Sequence, residues 1–297
     1  MSFADSLVSV GLPVHNGAAR IEGTIRSVLA QDHQNLELVI CDNASTDRTE
    51  EICRDWAASD PRVVYHRQPE NIGQLPNFAD AIRRARGVFY RWAGDDNWLA
   101  PTYVSRCLEV FAADERLLLV TTQQAYACPD GSTRTAPYTG TGYLADDPVD
   151  RFAECLRVLN EDPLVMDPLY ALMRRERIMR VDRGRAMLRE DEIYAARMAL
   201  AGPWGHVPEI LAGREWEVQQ QGDIARKLGV PAWQVRVALL LQCRELLRAL
   251  GEVGLTPAQR RRGRALVAGM YLRRHGVTAV RRGRKLMATT RLLGAGR

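Results

Sequence analysis

Apolar and polar positions alternate in two rhythms along the first two fifths of the chain. Short β-rich runs occupy 7–13 (LVSVGLP), 36–42 (LELVICD), 62–68 (RVVYHRQ), 87–93 (GVFYRWA) and 116–122 (RLLLVTT). Between them apolar residues recur at helical spacing, as in Ile21, Ile25, Val28 and Leu29. Asp47 with Glu50 three residues later has the form of a capping box and predicts a helix to about Ala58. Further helices are predicted from Asn77 to Ala85 and from Pro101 to Phe111. Strands and helices alternating at this spacing predict an α/β domain, a mostly parallel sheet flanked by helices on both faces.

Beyond Thr122 the pattern loosens. ACPDGSTRT reads as a hairpin turning at Pro129-Asp130-Gly131, and PYTGTGYLADDP as a connection. Helical patterns follow over 149–159 and 167–180, and another opens at Glu190-Asp191. From Pro231 onwards the chain reads as helix. The expected division is a sheet domain over 1–215 and a helical, Arg-rich region over 216–297.

Composition changes this picture in three respects. No run approaches the roughly 18–20 apolar residues of a membrane span, and no basic segment precedes an apolar one at the N-terminus. The six cysteines show no C-x-x-C spacing, so they read as buried thiols in a reducing cytosol. The net charge of +5 hides an asymmetry: from Gly251 on, twelve Arg and Lys face one acid, Glu252, whereas the preceding 250 residues carry 29 basic against 35 acidic. A basic end on an acidic body suits an anionic partner, and a solvated helical face accounts for the same pattern.

In a parallel sheet, ligands bind beyond the carboxyl ends of the strands. Those ends are polar here, and two adjacent acids, Asp95 and Asp96, follow the fourth run. Burying unpaired charge is costly, so such a pair is solvated, caps a helix or awaits a cation. No G-x-G-x-x-G follows the first strand and no P-loop occurs, which disfavours a dinucleotide or P-loop site. The ordered series VSVGLPVHNG, LVICDNASTD, ENIGQLPNFADAIRRARGVFYRWAGDDNWLAP and LREDEIYAARMALAG resembles family 2 glycosyltransferases over about two thirds of the chain, 7–213.

That resemblance implies a GT-A (Rossmann-like) fold and inverting sugar transfer from a nucleotide-diphosphate sugar, with Mg2+ or Mn2+, to a hydroxyl-bearing acceptor. It implies that Asp96 holds the metal and that Asp95 contacts the ribose or the metal's water shell. Asp42 would accept the imide N–H of a uracil or thymine, with Pro13, His15 and Glu22 lining the nucleoside pocket. Asn71 and Asn77 fall in the segment near the diphosphate, where many relatives have an Arg and this chain has Pro76. Asp191, ahead of Glu190, would be the general base, although acids in a first helical turn are also favoured by the helix dipole. Many relatives carry a metal-side His soon after GHVPEILAGRE; here Glu215, Trp216 and Glu217 follow, Trp216 reads as a sugar platform or a core residue, and His206 reads as a loop residue.

Two other readings stand beside this one. A nucleotidyltransferase uses a similar sheet, but its Gly-rich basic loop is missing from LPVHNG. A non-catalytic protein would use the basic tail on an anionic membrane or a nucleic acid. Nucleic acid is not expected, because only Tyr271 interleaves the arginines. The tail's apolar side fits docking on the sheet domain, or peripheral contact with an anionic membrane from the cytoplasmic side.

Overall fold

The computed structural model describes residue 3 and residues 5–161, 167–216 and 220–294, with side chains through residue 276. β1 (Val8–Val14) and β2 (Leu36–Asp42) are buried along their whole length, as strands covered on both faces must be. β1 pairs in parallel with β2 and, on its other side, with β4 (Phe89–Trp92); β2 pairs in parallel with β3 (Val63–Arg67). The crossovers contain α1 (Ile21–Leu29), α2 (Thr49–Ser59) and α3 (Gln74–Arg84). α1 buries Ile21, Thr24, Ile25 and Val28, the stripe its periodicity predicts.

The capping box at Asp47 does not close. Asp47 accepts the Thr49 N–H (3.0 Å) and the Ala18 N–H (3.1 Å), tying the start of α2 to the loop after β1. Glu50 turns to Arg54 and Arg67 instead, each at 2.8 Å.

The far half of the sheet is mixed rather than parallel. Beyond β4 come β8 (Leu172–Arg174), β6 (Leu119–Ala127), β9 (Trp204–Glu215) and β5 (Trp98–Leu99), and β7 (Thr133–Thr135) forms the predicted hairpin with β6. β6 and β9 are parallel; β4–β8, β8–β6 and β9–β5 are antiparallel. Residues 167–180 are therefore not the helix the periodicity predicts. Only α6 (Arg175–Ile178) is α-helical there, because Leu172 and Met173 are drawn into the sheet opposite Val120 and Leu119. β9 also escapes sequence reading, since Gly205, Pro208 and Gly213 interrupt it. Its register jumps from Val207 opposite Thr122 to Ile210 opposite Gln123, so Pro208 sits in an irregularity that needs no ladder N–H.

The remaining helices are α4 (Tyr103–Ala113), α5 (Pro148–Glu161), α7 (Glu190–Ala201), α8 (Gln221–Lys227), α9 (Gln234–Glu252) and α10 (Pro257–Gly294). Leu246 and Leu250 of α9 and Val267 and Met270 of α10 share one buried cluster with Phe152, Trp92 and Trp204. The apolar side of α10 thus docks, and Gly263 lies so close to α9 that a Cβ there would meet Leu250 at 2.7 Å. All six cysteines are unpaired, four of them buried. Among the described residues no helix is long and apolar enough to cross a membrane.

Candidate active site

The β1 and β2 ends build one wall of the crevice. His15 Nδ1 donates to the Asn43 carbonyl (2.9 Å), which leaves Nε2 as an acceptor 3.4 Å from the Asn71 amide. Asn71 Oδ1 accepts from Asn43 and from the Gly73 N–H, each at 2.9 Å, so His15, Asn43 and Asn71 form one polar frame. Pro13 is buried within β1, and Glu22 is exposed in the first turn of α1; among the described residues no hydrogen bond joins Glu22 to the frame. Asn77 is buried and donates to the Cys41 carbonyl (2.8 Å), bracing β2, while its Oδ1 has no partner among the described residues. Asp42 is 0% exposed. Its oxygens accept the Ser45 N–H (2.9 Å) and the Tyr65 hydroxyl (2.7 Å), and Arg67 lies 3.6 Å away.

β4 delivers Asp95 and Asp96 through Gly94. A Cβ on Gly94 would stand 2.7 Å from Asp96 Oδ1, and one on Gly17 3.1 Å from Asp95 Oδ2, so both glycines make room for the acids. The Thr24 hydroxyl anchors this turn by donating to the Asn97 carbonyl (2.7 Å). Arg20 donates to Asp95 (2.9 Å) and lies 3.6 Å from Glu215. Burial raises the Asp96 carboxyl above its usual range; Arg214 opposes this and Asp95 adds to it. Two oxygen-donor side chains in a partly buried turn suit a hard divalent cation. Among the described residues no three His, Cys, Asp or Glu side chains converge on a metal by themselves.

The acids that open α7 have different surroundings. Glu190 is buried and holds Arg183 in a two-pronged pair (3.0 and 3.2 Å). The Arg183 guanidinium lies over the rings of Phe78, Trp92 and Tyr194, at 5.1, 5.6 and 5.3 Å. Glu192 is bound by Arg189 (2.6 Å), Arg274 (2.6 Å) and Gln242 (2.9 Å). Asp191 enters no ion pair among the described residues. Its side chain is exposed to solvent, and one of its oxygens accepts the Glu192 N–H (2.9 Å). Burial, then the charges of Glu192 and Glu190, push its carboxyl up to about 6.

Two residues absent from the sequence reading connect these groups. Arg214, on β9, pairs with Asp167 (2.9 Å) and lies over Tyr170 and Tyr126, at 5.2 and 5.6 Å. Its Nε is buried without a partner among the described residues. Burial works against its charge, but Asp167, Tyr170, Tyr126 and Asp96 outweigh that and hold it protonated. Asp167 in turn helps to raise Asp191. No sequence signal distinguishes Arg214 from the many other arginines. His206 is not a loop residue: it stands in β9 beside Thr121 (2.9 Å), and burial lowers it to about 4, so it is neutral. Trp216 packs edge-on against Tyr126 (5.6 Å), and Glu217 lies outside the described residues.

Comparison with known proteins gives this geometry a family. The profile described as Glycosyl transferase family 2 matches residues 9–181 and stops short of Glu190 and Asp191. Chondroitin synthase of Pasteurella multocida is 34% identical over 126 residues, 42% of this chain and 13% of that protein. Chondroitin synthase of Escherichia coli is 36% identical over 117 residues, 39% of this chain and 17% of that one. The chain therefore matches less than a fifth of the length of these relatives. Among solved structures, residues 1–349 of S. aureus TarS superpose with a TM-score of 0.63 at 14% identity, covering 90% of this chain and 72% of that one; TarS has also been solved with UDP-GlcNAc. The mannosyltransferase PcManGT from Pyrobaculum calidifontis, in complex with GDP-Man and Mn2+, gives 0.57 at 21% identity over 97% and 80%. These solved structures share the GT-A fold with the chain, and the family profile is what displaces the nucleotidyltransferase reading. With the profile matched over more than half its length, the chain belongs to glycosyl transferase family 2.

Proposed function

We propose that the protein is a metal-dependent, inverting transferase that moves a sugar from a UDP- or dTDP-sugar to the hydroxyl of a saccharide, lipid-linked or natural-product acceptor. One observation carries this reading. Of the three acids in the first turn of α7, Glu190 and Glu192 are held in ion pairs, and among the described residues Asp191 alone is without one, with its carboxyl raised to about 6. A carboxylate at that value is ionised at neutral pH and more basic than an ordinary aspartate. Asp191 takes the acceptor proton as the acceptor oxygen bonds to the anomeric carbon, and the bond from that carbon to the diphosphate breaks on the opposite face. Arg183 takes no part in the transfer; by engaging Glu190 it keeps the base separate.

Asp96 would hold Mg2+ or Mn2+, with Asp95 on the ribose or the metal's water shell, and the ion would supply charge neutralisation for the departing diphosphate. The space left by Gly94 and Gly17 and the oxygen-only donors fit such an ion, with donor phosphates and water completing its shell. Arg214 adds a fixed positive charge beside Asp96. A uracil or thymine would approach through the His15–Asn71 frame, with Glu22 at its rim. It reaches Asp42 only once Tyr65 or Arg67 gives way. The complexes named for TarS and PcManGT support a nucleotide-sugar donor, and the free thiols fit a cytoplasmic setting.

The test is a thermal-shift series with UDP, dTDP and GDP, with and without Mn2+. A metal-dependent shift with UDP or dTDP, lost in Asp96→Ala, is expected. A shift with GDP alone would overturn the uracil or thymine assignment, and an undiminished shift in Asp96→Ala would overturn the metal assignment.

A further inference from the structure

The sequence placed membrane contact on the basic tail, but α10 spends part of that tail inside the molecule. α10 buries Val267 and Met270, and Arg274 is used inside the molecule on Glu192, Asn160 and the Leu159 carbonyl. Among its described residues α10 exposes one large apolar side chain, Leu272 (70%), whereas a line of them runs along α9. Trp233, which precedes α9, and Leu240 and Leu247 within it are 57%, 54% and 43% exposed, and they recur every seven residues. Two turns of helix separate each from the next, so they form one outward stripe along a helix of about 28 Å. Three large apolar side chains in line on a surface mark a contact site rather than scattered exposure.

Charge decides the partner. Arg236, Arg244 and Arg248 share this exposed face with the stripe. Arg248 is tied to Glu252 (2.8 Å), whereas Arg236 and Arg244 enter no ion pair among the described residues. The one acid within α9 before its last residue, Glu245, is turned inward and buried. Tryptophan and leucine flanked by unpaired arginine is the composition of a helix that lies in the headgroup layer of a lipid bilayer. A second copy of this chain would bring the same positive face against itself.

We infer that the outward face of α9 docks on an anionic phospholipid surface, with Trp233, Leu240 and Leu247 entering the headgroup layer and Arg236 and Arg244 pairing with lipid phosphates. The inference does not depend on the donor chemistry. It is tested by sedimenting the full chain with vesicles of phosphatidylcholine alone and with added phosphatidylglycerol. Binding to the anionic vesicles only, weakened by salt, is expected. Leu240→Gln/Leu247→Gln and Arg236→Gln/Arg244→Gln should each lower partitioning about tenfold or more with an unchanged melting temperature. No sedimentation of the wild type, equal binding to both vesicles, or binding unaffected by both double variants would overturn it. So would a dimer, seen by light scattering without lipid, that Leu240→Gln/Leu247→Gln abolishes.

Discussion

Glu190 and Asp191 are neighbours in sequence and opposites in surroundings, because a helix turns successive residues by about 100° and only one of the two meets Arg183. Asp191→Asn keeps the shape and removes the base, so kcat should fall about 10²- to 10⁴-fold with little change in donor affinity. The wild-type rate should fall tenfold per pH unit below about 6, where Asp191 takes up a proton. The stability effect has a definite sign. The folded state binds this proton more tightly than the unfolded state, so Asp191 contributes a stability that is lost as pH rises through about 6. Asp191→Asn should therefore stabilise the protein at pH 7 by about 1 kcal/mol, the larger value of a two-unit shift being reduced by solvent at an exposed side chain. Arg183→Gln would leave Glu190 charged and unpaired beside the base. It should cost about 3 kcal/mol in stability and move the acid limb of the rate profile to higher pH. Arg183→Gln/Glu190→Gln should return that limb towards its original position; a limb that never moves would show Arg183 to be structural only.

At the scale of elements, what was legible depended on whether a segment's neighbours were local. β1, β2 and α1 announce themselves because a covered strand needs an unbroken apolar run and a surface helix needs a stripe. The Asp95-Asp96 turn was legible for the same reason, as polar residues stopping a buried run. β8 and β9 were not, since their identity comes from partners far away in sequence: Leu172 has Val120, and Arg214 has Tyr126. Missing β9 meant missing Arg214, and missing the strand around 172 hid Asp167 just before it. Arg214→Gln would remove the charge that offsets Asp96 and would leave Asp167 unpaired. UDP affinity measured by calorimetry with Mn2+ should weaken about tenfold. Gly94→Ala tests the turn itself: with a methyl 2.7 Å from Asp96 Oδ1, Mn2+-dependent binding should be lost while the fold persists. Retained binding there would mean that the carboxylate has another place to go.

Across the whole molecule, the acidic body and basic tail that divide the sequence turn out to complete each other in part. Arg262 meets Asp147 and Asp150, and Arg274 meets Glu192, one residue beyond the base. The helical region therefore shares the core of the sheet and also fixes the first turn of α7 from behind, through Arg274 and Gln242. Without Arg274, Glu192 would keep Arg189 as its ionic partner among the described residues, and its less neutralised charge would raise Asp191 further. Arg274→Gln should destabilise by about 1–3 kcal/mol, because it strips charged hydrogen bonds from a half-buried acid. In a chain of this size that is a fall of several degrees in Tm. The catalytic consequence is more specific: kcat should drop with donor KM unchanged, and the acid limb should shift to higher pH, since the Glu192 charge, less neutralised, acts more strongly on Asp191. Glu192→Gln in the same background should reverse the shift without restoring Tm. If Arg274→Gln lowers Tm and leaves the pH profile where it was, the C-terminal helices support the fold without tuning the base.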